Sequence, residues 1–187
     1  MADQITIPQS GLWGTIATAL NSMFDVIFGR TGWGYYVDDQ YTSSSPFTVA
    51  GDTDTIMPNN KASVIESQKP TDVTTFYDGT SILGRNGDGI GISIDFTIVP
   101  TNVNTTLVEV WVDITGGTGT PENLANLYRR ILTFPKGTGT PRKVSFSHIG
   151  YTLGTWEANG GVVKIRANGS AEIYDVAYII TRTHKAR

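Results

Sequence analysis

Only two imidazoles, His148 and His184, occur in the 187-residue chain, and it contains no cysteine. Zinc sites draw on closely spaced His and Cys, yet neither histidine has a second good ligand in the few positions after it. His148 stands among Tyr, Ser and Gly on a strand-like run and reads as a rim or core histidine. Nucleophilic catalysis has no local signature either: G-x-S-x-G is missing, and no thiol is available. Paired carboxylates are the remaining route, from Asp38, Asp39, Asp95, Glu109 or Asp113. Asp95, Glu109 and Asp113 fall at the polar positions of alternating runs, and so read as solvated strand residues. These residues predict no enzyme, no metal and no other cofactor.

The most suggestive local feature is the loop Gly84-Arg85-Asn86-Gly87-Asp88-Gly89-Ile90-Gly91. It lacks the closing Lys-Ser/Thr of a phosphate loop and leads into a strand rather than a helix. Asn86 and Asp88 are oxygen ligands suited to calcium, but the EF-hand spacing and distal Glu are absent. Tight turns account for the glycines, leaving Arg85, Asn86 and Asp88 as candidate binding-loop residues. A second pattern, Gly117-Thr118-Gly119-Thr120-Pro121, recurs as Gly137-Thr138-Gly139-Thr140-Pro141 and reads as two similar exposed loops at sheet ends.

Composition narrows the partners. Net charge is −3 with a pI near 5.3, and the only basic cluster is Arg182 to Arg187, which reads as a solvated tail. Nucleic-acid binding needs clustered Lys and Arg, so it is not expected. Charged residues are 17% of the chain and hydrophobic residues 39%, with 21 glycines. That profile suits a turn-rich β protein with enough core material to fold, rather than a disordered one. Met1 to Ser10 has no Lys or Arg, and Leu12 to Phe28 is interrupted by polar residues and glycine. Neither a signal peptide nor a membrane span is expected.

Two elements would have to position such residues. Leu12, Trp13, Ile16, Leu20, Met23, Phe24, Ile27 and Phe28 recur at helical spacing and form one apolar stripe. Ser10 is the expected N-cap and Gly29 the expected C′ glycine. Gly14, Thr15, Thr18, Asn21 and Ser22 are poor helix formers, so the order of this helix must come from something packed on the stripe. Residues 1–32 therefore read as an arm for anchoring or oligomerisation, followed by a β domain over 33–187.

From Tyr35 the hydrophobic period changes to two. Ile90, Ile92, Ile94, Phe96 and Ile98 alternate with small or polar residues, as do Val108, Val110, Val112 and Ile114. Shorter runs cover 35–41, 47–49, 55–57, 64–65, 131–134, 144–148, 162–167 and 171–179. Asn168-Gly169 predicts a type I′ hairpin joining the last two strands, and 121–127 a short helical turn. About eight strands without intervening helices predict an antiparallel β-sandwich, with the jelly roll as the best topology.

The segment Gly34-Tyr35-Tyr36-Val37-Asp38-Asp39-Gln40-Tyr41-Thr42-Ser43-Ser44-Ser45-Pro46-Phe47, the later Phe76-Tyr77-Asp78-Gly79 and the turn Asn86-Gly87-Asp88-Gly89 resemble tailed-bacteriophage virion proteins. The similarity is to capsid decoration (cement or head-fibre) proteins whose jelly roll is like those of tumour necrosis factor and complement C1q. It spans about residues 33–183. The resemblance implies a homotrimer on the virion surface, made in the host cytoplasm and bound to the major capsid protein or another virion component through its N-terminal segment. It carries over no catalytic or metal residue. The single short helix, in place of a long stalk, points to a compact cement protein. The alternative is the tip of a head or tail fibre that recognises a receptor or host surface glycan.

Overall fold

Alternation over Gly89–Pro100 puts Ile90, Ile92, Ile94, Phe96 and Ile98 on one face of a single strand, and all five are buried. The computed structural model describes residues 11–28, 30–118 and 128–186. After helix α1 (Gly11–Phe28) come β1 (Gly32–Val37), β2 (Phe47–Val49), β3 (Thr55–Ile56), β4 (Ser63–Ile65), β5 (Gly89–Pro100) and β6 (Leu107–Asp113). β7 (Arg130–Thr133), β8 (Arg142–Tyr151), helix α2 (Gly154–Asn159), β9 (Val162–Ala167) and β10 (Ala171–His184) follow.

The strands form two antiparallel sheets. One has the order β4-β1-β10-β5-β8, with β2 also on β10; the other runs β3-β9-β6-β7. With β2 and β4 set aside, the other eight strands numbered in chain order lie 1-8-3-6 in one sheet and 2-7-4-5 in the other. That interleaving is the double Greek key of a jelly roll. The fold is an all-β sandwich preceded by one helix.

The core lies between the sheets. Tyr36, Ile98, Ile173, Tyr178 and Ile180 of the first sheet meet Val108, Val110 and Ile165 of the second. Tyr77 stacks edge-on to both Tyr36 and Tyr178, with ring centroids 5.5 and 5.4 Å apart. Such pairs add to burial because a positive ring edge meets a negative ring face.

Three expectations about local structure are corrected. Asn168-Gly169 makes no hairpin, because β9 and β10 belong to different sheets, and neither residue has positive φ. Asn168 instead accepts hydrogen bonds through Oδ1 from the Thr106 and Leu107 amides. Gly169 is needed for close approach, since a Cβ there would lie 2.5 Å from Thr105 Oγ1. Helix α2 interrupts the all-strand reading and serves to bury Trp156, whose Nε1 donates to the Ile82 carbonyl at 2.8 Å. The C-terminal basic cluster is not a free tail: β10 continues to His184, pairing with Gly89, and Arg182 is buried within it. Ser10, Gly29 and residues 121–127 lie outside the described residues.

Candidate functional site

Helix α1 is the first candidate. Its run from Trp13 to Phe24 contains no charged residue, and Thr18 Oγ1 turns back to donate to the Gly14 carbonyl at 2.8 Å. Trp13 is 72% exposed, and Ile16, Leu20, Met23 and Phe24 are exposed as well. Among the helix residues whose side chains are described, Ala17 alone is buried. The side chains of Leu12, Ile27 and Phe28 lie outside the described residues. Trp13, Ile16, Leu20 and Met23 of the predicted stripe thus share one helix and one exposed apolar side, a surface that water disfavours.

The place where the helix joins the sandwich is firmly held. Arg182 Nε donates to the Arg30 carbonyl at 2.7 Å. Its two terminal nitrogens grip Asp72, Nη2 to Oδ1 at 2.6 Å and Nη1 to Oδ2 at 3.2 Å. Lys185 Nζ also reaches Asp72 at 2.8 Å. The hydrogen bonds from Arg182, then that from Lys185, outweigh partial burial and hold the Asp72 carboxyl well below the usual carboxylate range. Beside it, Gly32 packs so tightly that a Cβ would lie 2.2 Å from the Gln68 carbonyl oxygen.

The loop from Gly84 to Gly91 borders the same place. Asp88 is buried and works structurally: Oδ1 accepts from the Ala186 amide at 2.8 Å and its carbonyl from the Thr152 amide at 2.9 Å. Its Oδ2 lies 3.7 Å from Arg182 Nη1. Gly87 takes positive φ, 85°, in the turn closed by the Asp88 amide on the Arg85 carbonyl at 3.0 Å. Arg85 and Asn86 are exposed, with Arg85 3.7 Å from Asp72 and the Asn86 amide donating to Glu157 at 3.3 Å. Asp72, Phe76, Leu83, Arg85, Thr152 and Arg182 are among the residues lining a cavity of about 200 Å³ here. Among the described residues no cluster of three or more His, Asp and Glu side chains could hold a metal.

Of the carboxylates considered for catalysis, Asp38, Asp39, Glu109 and Asp113 are engaged by neighbouring groups, and Asp95 lies half-buried on the outer face of β5. Asp38 is a buried turn organiser, accepting from the Tyr41 and Asn60 amides at 2.9 Å each. Glu109 and Asp113 correct the expectation of solvated strand residues, since both are buried on the outer face of the second sheet. Register explains it: Glu109 faces Arg166 across β6 and β9, with Oε2 and Nη2 3.1 Å apart, and Glu109 also binds Arg129. Asp113 pairs with Lys164 at 2.9 Å, and Lys164 donates to the Gly117 carbonyl at 2.7 Å. Burial alone would raise the Asp113 pKa, but Lys164 and Thr115 hydrogen bonds lower it on balance.

A last surface had no sequence signal of its own. On the outer face of the six-stranded sheet, register brings Trp33, Thr181, Gly91 and Ile149 into one row across β1, β10, β5 and β8. Tyr35, Ile179, Ser93 and Ser147 make the next row, extended by Ile65 of β4. Ile149 is 76% and Tyr151 66% exposed; Trp33, Ile65 and Ile179 are also exposed. Ile179 alternates with buried positions and Ile149 with half-buried ones, so the sequence shows only that they face outward. Which of them become neighbours depends on strand order.

No family model matches the chain, and no curated protein matches it. Among solved structures, "PRD1 vertex protein P5" is similar at 12% identity and TM-score 0.41, over 83% of this chain and 73% of that one. The K3 cleaved adhesin domain of Lys-gingipain from Porphyromonas gingivalis w83 aligns at 15% identity and TM-score 0.31, over 80% of this chain and 98% of that one.

Proposed function

We propose that the chain is a structural protein of a bacteriophage particle, a homotrimeric jelly-roll decoration that attaches to the capsid through its N-terminal segment and catalyses no reaction. The observation that carries the assembling part is helix α1, whose apolar stripe stands exposed at Trp13, Ile16, Leu20 and Met23. A helix so poor in strong helix formers is marginal alone, and packing against a partner supplies the missing stabilisation. The virion setting is supported by the resemblance of the aromatic–Asp entry segment and later turns to phage decoration proteins. In this reading the protein sits on the virion surface, and its partners are its own copies and the major capsid protein.

The test is deletion of residues 1–30 followed by capsid co-sedimentation. The truncated chain should keep its β-rich circular dichroism and lose attachment. Full decoration by the truncated chain would sink the anchoring role.

A fibre tip recognising a host glycan is the alternative. It is favoured by the exposed rings of Trp33 and Tyr151 on the first sheet and by exposed Arg85 and Asn86. Binding on a glycan array that disappears on Tyr151→Ala would select it over decoration.

A further inference from the structure

Two exposed apolar surfaces occur among the described residues. One is the stripe of α1; the other is the outer face of the six-stranded sheet. Trp13 on the helix and Ile149 on the sheet are the most exposed large hydrophobic side chains among the described residues, at 72% and 76%. Neither surface carries a charge where it is most apolar: the stripe from Trp13 to Phe24 has none, and neither do the sheet rows from Trp33 to Ile149 and from Tyr35 to Ser147. An outward sheet face in water is ordinarily polar.

Their shapes match. Gly91 leaves a low floor between Trp33 and Ile149, where even an added Cβ would meet nothing closer than 3.8 Å. Crossing from β4 to β8 takes four strand spacings of about 4.8 Å, roughly 19 Å. The 18 residues of α1 extend roughly 27 Å at 1.5 Å each, so one helix spans the sheet. The chain's own helix does not fill this place, because Ile149, Tyr151 and Trp13 are all exposed with that helix present. Arg182 also fixes the carbonyl of Arg30, two residues beyond the end of the helix.

We infer that α1 of one copy lies across the outer face of the six-stranded sheet of a second copy, with the helix stripe on Trp33, Ile149, Tyr151 and Ile179. Each copy offers one helix and one sheet face, two different surfaces, so the contact is heterologous, and a set of copies closes as a ring when the rotation from one to the next divides a full turn. This rests on the self-assembling part of the function proposed above and not on its virion setting.

The absence of cysteine makes the test direct. Single-cysteine variants are made at Ile149 and, separately, at Trp13, Ile16, Leu20 and Met23, with Thr15→Cys and Ser22→Cys as controls on the opposite helix face. An Ile149→Cys chain is mixed with a mass-labelled helix variant and treated with a short bismaleimide. At least one stripe position should give a cross-linked species of two differently labelled chains, several-fold above the controls. Unmixed Ile149→Asp should run at monomer mass with an unchanged melting temperature.

Equal yields at stripe and control positions, or no cross-link at all, would overturn the inference. A monomer that still decorated capsids would remove this contact and leave the virion reading standing. Ring-forming chains with no affinity for capsids would do the reverse.

Discussion

Arg182 and Asp72 meet through two hydrogen bonds, at 2.6 and 3.2 Å, beneath the point where the helical arm joins β1. Arg182 is almost wholly buried and also holds the Arg30 carbonyl. Loss of the guanidinium takes two hydrogen bonds from the Asp72 carboxylate and the facing charge from buried Asp88, and a buried group that loses its partner is left uncompensated. Arg182→Met should therefore destabilise the sandwich by about 3 kcal/mol, a fall of roughly 6–12 °C in melting temperature for a domain of this size. Arg182→Lys should recover only part of this, because an ammonium cannot make the two-point contact. Differential scanning calorimetry of both variants checks the order.

Glu66 accepts hydrogen bonds from Tyr36 and Thr75, and from the Phe76 amide at 3.2 Å. Burial by itself would raise its pKa; the Thr75, Tyr36 and Phe76 hydrogen bonds reverse that and lower it. A lowered folded pKa contributes stability above the unfolded carboxylate value and loses it as pH falls through the folded value. Asp72 and Asp113 act in the same direction. Stability should therefore fall steadily from about pH 5 downward, and Glu66→Gln should flatten that fall in melts across the acid range.

Burial, followed by the Glu66 hydrogen bond, pushes the Tyr36 hydroxyl up to about 12. A raised folded pKa means stability is full below the unfolded tyrosine value of about 10 and lost as pH climbs toward the folded one. Tyr36→Phe should remove part of the alkaline loss seen in melts between about pH 9 and 12. If the variant melts with the same alkaline slope as the parent, Tyr36 is not its source.

Two glycines should respond oppositely to alanine. A Cβ on Gly161 would lie 2.6 Å from the Trp156 ring and 2.7 Å from a Val112 methyl. Gly161→Ala should cost about 1–3 kcal/mol through overpacking. Gly91 has open space at that distance and sits within a strand, so Gly91→Ala should be neutral or stabilise by up to about 1 kcal/mol. Urea denaturation midpoints compare the two.

Asp113 and Lys164 form a buried pair outside the core, and a double-mutant cycle measures its coupling. Lys164→Met alone should cost about 3–5 kcal/mol, with Asp113→Asn/Lys164→Met less damaging than the single change. A double variant as unstable as the sum of the two singles would show no coupling.

The sandwich was legible because period-two alternation is strong where one face is buried: β5 and β9 were found with nearly their observed bounds. Helix α1 was legible from its apolar stripe. Strand order was not, since pairing partners such as Trp33 and Thr181 lie far apart in sequence. The same blindness hid the buried pairs. Glu109 and Asp113 occupy polar positions of an alternating strand, and only register sets Arg166 opposite Glu109. Arg182 read as tail because the strand enclosing it shows no apolar alternation past Ile180. Asp88 drew attention as a loop acid, yet its surroundings give it a structural task.

The pairing of β1 with β10, Gly32 against Arg182, bears on how the protein is made. The first strand of the sandwich pairs with the short β4 on one side and with the last strand on the other, so this second seam stays open during synthesis until β10 has been added. At about 5–20 residues per second, the roughly 150 residues between them take on the order of 10–30 s. Throughout that interval the chain's own first sheet lacks the strand that joins β1 and β2 to β5. The six-stranded sheet is thus complete only once the whole chain has been made, which favours assembly between completed chains.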